Sequence, residues 1–480
     1  MTAPQPNDPA QLDDATLDFA ARMFDLARHG EADELEAYLA KGLPPNLRDH
    51  KGDSLLMLAA YHGHAAAVRV MLQHKADAGL RNDNGQTPIA GAAFKGHVAV
   101  VQALLDGGAD IEGASPDGKT ALMIAAMFNR VEIVELLLAH GADINLTPNA
   151  VRALDGLGIA DAVRRTAARP THRISRTWDS GEETSRLEMG DTAEKKYGAP
   201  QLTIHRADLL AALAEVFPAG RVQFAKRAEA IVEDAQGITL SFTDGTTDKV
   251  DVLIGGDGIH SAVRSAMFGK ESPRFTGVVA FRAVIPADSV AQVPNLQAFT
   301  KWWGPDPESQ IVTFPLNCGK DIFIFATTAQ ETWHLESWTT PGSVQELRDS
   351  YAGFHPDATA LLDACDEVLK TALYERDPLP HWSKGHMTLL GDASHPMMPF
   401  MAQGAGMAIE DAVVLARCLE KVASVDGIDE ALKTYQELRL ERTSKIQIGS
   451  RGNNWLREGG NADWVYGYDA WSIPLEAETV

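Results

Sequence analysis

The chain has 480 residues, 45% hydrophobic and 23% charged, room for two to four domains of ordinary globular composition. Asp and Glu outnumber Lys and Arg by 66 to 43, giving a formal net charge of -23. Such a field repels phosphate backbones and anionic membrane surfaces, so neither nucleic acid nor a membrane is an expected partner. Cys318, Cys365 and Cys418 have spacings that fit neither a zinc site nor a redox pair. With no secretory signal and no bilayer-length apolar run, the expectation is a cytoplasmic protein without a bound metal.

Residues 1–16 are polar and rich in Pro and Asp, and read as a flexible tail. A strict period follows. Gly52, Gly85 and Gly118 stand 33 residues apart, as do Ala60, Ala93 and Ala126, and Leu72, Leu105 and Leu138. Ala-Asp pairs recur at 76–77, 109–110 and 142–143, and Ala27, Gly30, Leu35 and Leu39 fill matching slots one step earlier. Thirty-three residues is the period of ankyrin repeats. Asn84-Gly85 and Asp117-Gly118 supply turns with positive φ, Gly63 and Gly96 end first helices, and 131–138 is an apolar second helix. The expected stack covers 17–170, with a helix over 150–169 as its C-terminal cap. Such stacks present an elongated surface to a protein partner; a purely structural scaffold is the other reading.

After Pro170 the pattern changes. A strand over 202–205 leads into a helix at Arg206. Short alternating runs at 222–224, 230–233 and 238–242 are separated by Gln236-Gly237 and, further on, followed by Asp244-Gly245, both hairpin signals. A buried strand is expected over 250–254, running into Gly255-Gly-Asp-Gly-Ile-His-Ser-Ala-Val-Arg264. Strands at 275–285 and 311–328 flank the aromatic run Phe299-Thr-Lys-Trp-Trp303, and helices follow at 344–351 and 358–365. A strand from Met387 then ends in Gly391-Asp-Ala-Ser-His-Pro396. Gln403-Gly-Ala-Gly-Met407 opens a helix to about 422, and a charged helix spans 428–446. Gly404 and Gly406 leave backbone N–H groups uncovered at a helix N-terminus, which favours electron-rich or anionic groups. Asp392, at a strand tip, suits hydrogen bonding to a polyol.

These strings resemble the two internal signatures of the FAD-dependent aromatic hydroxylases, the single-component flavoprotein monooxygenases. His205-Arg206-Ala-Asp-Leu resembles that family's FAD-contacting arginine segment. Lys301-Trp-Trp303 and Trp464-Val-Tyr-Gly-Tyr-Asp469 are similar to its 6-hydroxynicotinate-hydroxylating branch. The resemblance runs from Trp178 to the C-terminus. It implies a FAD-binding domain divided between 171–274 and 376–425, a substrate-domain β-sheet over 275–375, and a C-terminal helix and tail over 426–480. It also implies FAD as cofactor, NAD(P)H as co-substrate, and hydroxylation of a small N-heteroaromatic or benzoate-type ring.

By the same resemblance, Arg206 would neutralise the pyrophosphate. Asp257 with Gly258 would form the second FAD/NAD(P)H motif, and Asp392 would contact the ribityl chain. Pro396 and Pro399 would line the flavin face. The amides of Gly404, Ala405, Gly406 and Met407 would face the electron-rich edge of the ring system. No catalytic residue is identified. Phe400 and the 304–312 stretch lack the His and Tyr of the 6-hydroxynicotinate hydroxylases, and His395 reads equally as packing or catalysis.

The family opens with a strand and a Gly-x-Gly-x-x-Gly turn that lets backbone approach the pyrophosphate. This sequence has no such turn. The expected architecture is therefore an α-helical ankyrin stack followed by a mixed α/β flavoprotein-hydroxylase-like region, with an incomplete parallel sheet and an antiparallel substrate sheet. FAD affinity should fall, by tenfold for each ~1.4 kcal/mol of binding free energy that the missing turn would have supplied. Two functions stay open. One is a hydroxylase whose repeats replace the first βαβ unit or recruit a partner that completes the site. The other is an inactive, truncated body serving as an ankyrin interaction module.

Overall fold

A computed structural model describes residues 14–109, 121–128, 130, 133, 143–218, 220–223, 226–234, 237–333, 342–457 and 461–475. The chain separates into two compact units, one of 1–140 with 223–225 and one of 141–222 with 226–480.

The first unit is built from helix pairs. Asp14–His29 pairs with Ala32–Leu39, Leu55–His62 with Ala65–Gln73, and Pro88–Lys95 with Val98–Asp106; Ala121–Met127 follows. Ser54 and Thr87 start the second and third inner helices, their hydroxyls accepting from the amides of Met57 (3.0 Å) and Ala90 (3.4 Å). Gly63 and Gly96 end those helices in the left-handed region, at φ +90° and +87°. A Cβ on Gly63 would come within 2.9 Å of His97, so glycine there also lets the next repeat close over the turn. Ala59, Ala60, Ala92 and Ala93 are fully buried, and their small size permits close helix approach. The expected turn at Asp117-Gly118 and most of the helix at 131–138 lie outside the described residues.

The second unit begins where a cap on the repeats was expected. Asp143–Leu146 pairs antiparallel with Leu202–His205. Behind that ribbon, Pro148–Gly156 and Ala160–Thr166 bury Val151, Leu154, Ile159 and Val163 against Ile204 and Leu209. The stretch 150–169 thus contains two short helices of the larger unit, because their apolar faces find partners there.

The main sheet has seven strands in the order Leu369–Glu375, Arg274–Pro286, Asp321–Ala329, Gln310–Leu316, Phe299–Trp303, His172–Thr177 and Glu183–Glu188. All neighbours are antiparallel except Phe299–Trp303 with His172–Thr177. The run expected at 311–328 is broken by a turn in which Asn317, Cys318 and Gly319 take positive φ. Residues 220–223 form no strand. One face of the sheet buries Phe281, Trp302, Ile311 and Ile324 against helices Val344–Ser350 and Pro356–Asp363. The other face, set by the two-residue period of strands, carries Phe299, Lys301, Trp303, Val312, Phe314 and Phe325.

A smaller sheet places Met387–Leu389 between Ser383–Lys384 and, in parallel, Leu253–Gly255. Leu253–Gly255 has no second neighbour among the described residues. Ile254, expected in a buried strand, is 40% exposed for that reason. A hairpin sheet of Ala228–Asp234, Gly237–Phe242 and Thr247–Val250 and the long helices Gly404–Glu420 and Ile428–Gly449 complete the unit. Among the described residues no helix is long and apolar enough to cross a membrane.

Candidate active site

The strand Met387–Leu389 delivers the chain into a tight turn at Gly391–Ala393. Gly391 has φ +61°, and a Cβ there would sit 3.1 Å from the Ala408 Cβ, so glycine lets the turn rest on helix Gly404–Glu420. That packing fixes Asp392 beside the helix start. Asp392 is exposed. The protein crowded round its carboxyl nonetheless raises its pKa, against opposing pulls from His395 and Arg206. The exposed Arg206, at the start of Arg206–Val216, therefore lies close enough to Asp392 to act on it.

No side chain caps the first turn of Gly404–Glu420. The first amides of a helix have no intrahelical acceptor, so those of Gly404, Ala405 and Gly406 are suited to donate elsewhere. Met407 differs from the expectation. Its amide donates to the Gln403 carbonyl (2.8 Å) and its side chain is fully buried, with Sδ against Arg439. Pro399 is exposed at the start of the short turn Pro399–Met401, while Pro396, Phe400 and Met401 are buried.

Asp257 is engaged locally. Its carboxylate accepts from Ser261 Oγ (2.5 Å) and from the amides of Ala262 (2.7 Å) and Val263 (3.2 Å), capping helix Ala262–Phe268. Gly258, at φ +77°, makes the turn that permits this. Arg264, on the capped helix, is the residue that joins the two motifs. Its guanidinium donates to the carbonyls of Ala393 (3.2 Å) and Ser394 (3.3 Å) and pairs with Glu271 (2.9 Å).

Beneath these residues runs a buried polar network that sequence reasoning missed. His395 Nε2 meets Asp411 Oδ2 at 2.5 Å, and Asp411 Oδ1 accepts from Arg439 Nε at 2.7 Å. Arg439 and Arg442 pair with Glu410 at 2.7 and 2.9 Å, and Asn149 Nδ2 donates to Glu410 at 2.7 Å. Gln403 Nε2 donates to Thr147 Oγ1 at 2.8 Å. Burial opposes ionisation of Asp411, but His395 and Arg439 outweigh it and hold its pKa below the usual range. The carboxylates and guanidiniums balance, as buried charges must. A usable signal was present: Glu410-Asp411 on one expected helix, with Arg439 and Arg442 three residues apart on the next. His395 serves this network.

Nearby, His205 Nδ1 meets Asp143 Oδ1 at 2.6 Å. Its sequence position alone assigns Asp143 to the repeat, because Gly141-Ala-Asp-Ile-Asn145 satisfies the ankyrin period.

The fold is that of the flavoprotein hydroxylases: the family model of a FAD binding domain matches residues 141–448, and ankyrin repeats (3 copies) match 23–113 and 75–148. The two matches share 141–148, the stretch where the ankyrin reading and the second unit compete. The 6-hydroxynicotinate 3-monooxygenase of Bordetella bronchiseptica is 40% identical over 332 residues, covering 69% of this chain and 86% of that protein. The 3-hydroxybenzoate 6-hydroxylase of Klebsiella oxytoca is 34% identical over 315 residues, covering 64% and 77%. Among solved structures, a salicylate hydroxylase substrate complex aligns with a TM-score of 0.61 at 27% identity, covering 68% of this chain and 88% of that one. HpxO of Klebsiella pneumoniae, complexed with FAD and uric acid, aligns with a TM-score of 0.59 at 26% identity, covering 67% and 81%. The chain belongs to the FAD-dependent aromatic hydroxylases, with ankyrin repeats ahead of a body that lacks the glycine-rich turn.

Proposed function

We propose that the second unit is a cytoplasmic FAD-dependent monooxygenase that hydroxylates a small N-heteroaromatic or benzoate-type ring with NAD(P)H and O2. The repeats dock a protein partner. The observation that carries this reading is the convergence of Asp392, Arg206 and the uncapped start of Gly404–Glu420, held together by Arg264 and Asp411.

The residues present suit the ribityl and ring end of the cofactor. Asp392 would accept from a polyol hydroxyl, and the amides of 404–406 would donate to an electron-rich ring edge. Arg206 would offset the pyrophosphate charge, and Pro399 would line the flavin face. FAD, when bound, supplies the oxygen-activating chemistry, while the protein supplies orientation and electrostatics. The adenosine end suits the cofactor less well: the glycine turn is absent, and Asp257 is engaged on a helix cap.

NAD(P)H oxidation by the full chain with added FAD should be stimulated by an aromatic acid, and Asp392→Ala should abolish the stimulation. The exposure of Ile254, on a strand with no second neighbour among the described residues, and the engaged Asp257 favour a second reading, an inactive body. Absence of stimulation by any aromatic acid, with either nicotinamide reductant, would support that second reading.

A further inference from the structure

One slot of the 33-residue period holds Arg28, Tyr61, Phe94 and Met127, and the next holds His29, His62, Lys95 and Phe128. These residues close the inner helices Asp14–His29, Leu55–His62, Pro88–Lys95 and Ala121–Met127, with Phe128 directly after the last. The preceding Ala59-Ala60 and Ala92-Ala93 turn into the core, so the residues after them turn outward. Tyr61, Phe94, Met127 and Phe128 are all exposed. Their side chains touch across repeats. The Tyr61 ring reaches over Gly91 of the next inner helix, where a Cβ would lie 3.5 Å from it. The Lys95 ammonium lies 4.6 Å from the centre of the Tyr61 ring, and the Phe94 and Phe128 rings meet edge to face at 4.6 Å. Single exposed apolar side chains are ordinary, whereas a contiguous apolar band marks a contact surface.

On a chain of net charge -23 this band is locally cationic. Lys95 stands over Tyr61, and Arg130 donates to the Phe94 carbonyl (3.2 Å). Among the described residues neither forms an ion pair with a carboxylate. His62 lies beside them, its pKa lowered by burial and by the cations His64, Arg28 and Lys95. Rings and unneutralised cations together fit large apolar side chains interspersed with carboxylates. A few carboxylates feel mainly the cations within a Debye length, whereas a phosphate backbone meets the repulsive field of the whole chain. The edge-to-face packing of Phe94 and Phe128 also leaves no spaced ring faces for bases to stack upon.

We propose that the row Tyr61, Phe94 and Met127, with Lys95 and Arg130 beside it, docks an extended segment of a protein partner in which large apolar residues are interspersed with Asp or Glu. That a protein docks on the repeats is the reading given above, on which this inference rests; the chemistry of the segment comes from the band itself.

Selection of short random peptides displayed against the full chain, followed by fluorescence-anisotropy titration of a selected peptide, tests this. The selected peptides should be acidic and rich in Leu, Ile or Phe. Phe94→Ser and Lys95→Glu should each weaken binding at least ~10-fold, the scale of one charge-assisted hydrogen bond. A version of the peptide with Lys in place of its acidic residues should bind Lys95→Glu better than the unaltered chain. Arg69→Glu, which makes the same charge change on the outer helix Ala65–Gln73, should leave binding unchanged. Cooperative melting of each variant guards against misfolding. Neutral or basic peptides that bind the repeats, or acidic peptides indifferent to both substitutions, overturn the proposal and leave docking by the repeats standing. Failure to select any peptide that binds the repeats overturns both. Tighter binding of a single-stranded oligothymidylate, or self-association of the chain that Phe94→Ser abolishes, assigns the band to a nucleic acid or to a second copy and also overturns the proposal.

Discussion

The repeat unit and the hydroxylase unit are held together over different distances along the chain. In the repeats, ties cross about one period. Arg48 reaches the Arg81 carbonyl 33 residues away, while His64 reaches Arg28 and Arg130 reaches Phe94, each across 36. In the second unit, Arg264 reaches Ala393 across 129 residues, Gln403 reaches Thr147 across 256, and Asn149 reaches Glu410 across 261. A stack of neighbours loses stability in local increments, whereas a body closed by distant ties depends on all of them at once. The candidate cofactor residues sit on the second kind of scaffold. Small damage far from Asp392 should therefore reach it, while damage within the repeats should not.

Substitutions that strike each kind of tie sharpen this contrast. Arg439→Met leaves Glu410 and Asp411 buried with reduced compensation. It should cost about 3–5 kcal/mol in denaturant unfolding of the second unit and weaken flavin uptake. Retention of both stability and uptake would show that the network is dispensable. Gly63→Ala forces a side chain into the left-handed region at φ +90°, and should cost about 1–2 kcal/mol in the repeats without altering flavin uptake. Ser54→Ala removes one helix cap and should cost about 1 kcal/mol, again confined to the repeats by hydrogen exchange.

A smaller, pH-dependent effect belongs to His205. Its hydrogen bond to Asp143 raises its pKa above 6.5, against the lowering effect of burial. Its contribution is fully present below the unfolded value and is lost as pH rises through the raised folded value. The melting temperature should therefore fall more across that window in the unaltered chain than in His205→Gln; identical profiles would exclude the linkage.

The same difference in distance governs how much could be read from sequence. A period of 33 residues exposes the repeats, because each interaction recurs at a fixed offset. Gly63, Gly96, Ala60 and Ala93 play the parts their residue types suggest. In the second unit, strands and helices such as Leu202–His205 and Val344–Ser350 were legible from the local sequence pattern. Their partners were not. Nothing near Asn149 in the sequence reveals Glu410, and Asp143 fits the repeat pattern while pairing with His205. Ile254 has the composition of a buried strand, but its exposure depends on what lies beside it. Asp257 followed by glycine resembles a cofactor motif, yet its carboxylate caps the next helix.

Whether a hydroxylase body without its glycine-rich turn holds the flavin is the central point, and titration of the purified full chain with FAD addresses it most directly. The expected result is saturable uptake, seen as a shift in flavin absorbance, weakened by Asp392→Ala and unaffected by Gly63→Ala. A chain that melts cooperatively yet causes no change in the flavin spectrum at any FAD concentration would contradict the assignment of Asp392, Arg206 and the 404–406 amides to the cofactor.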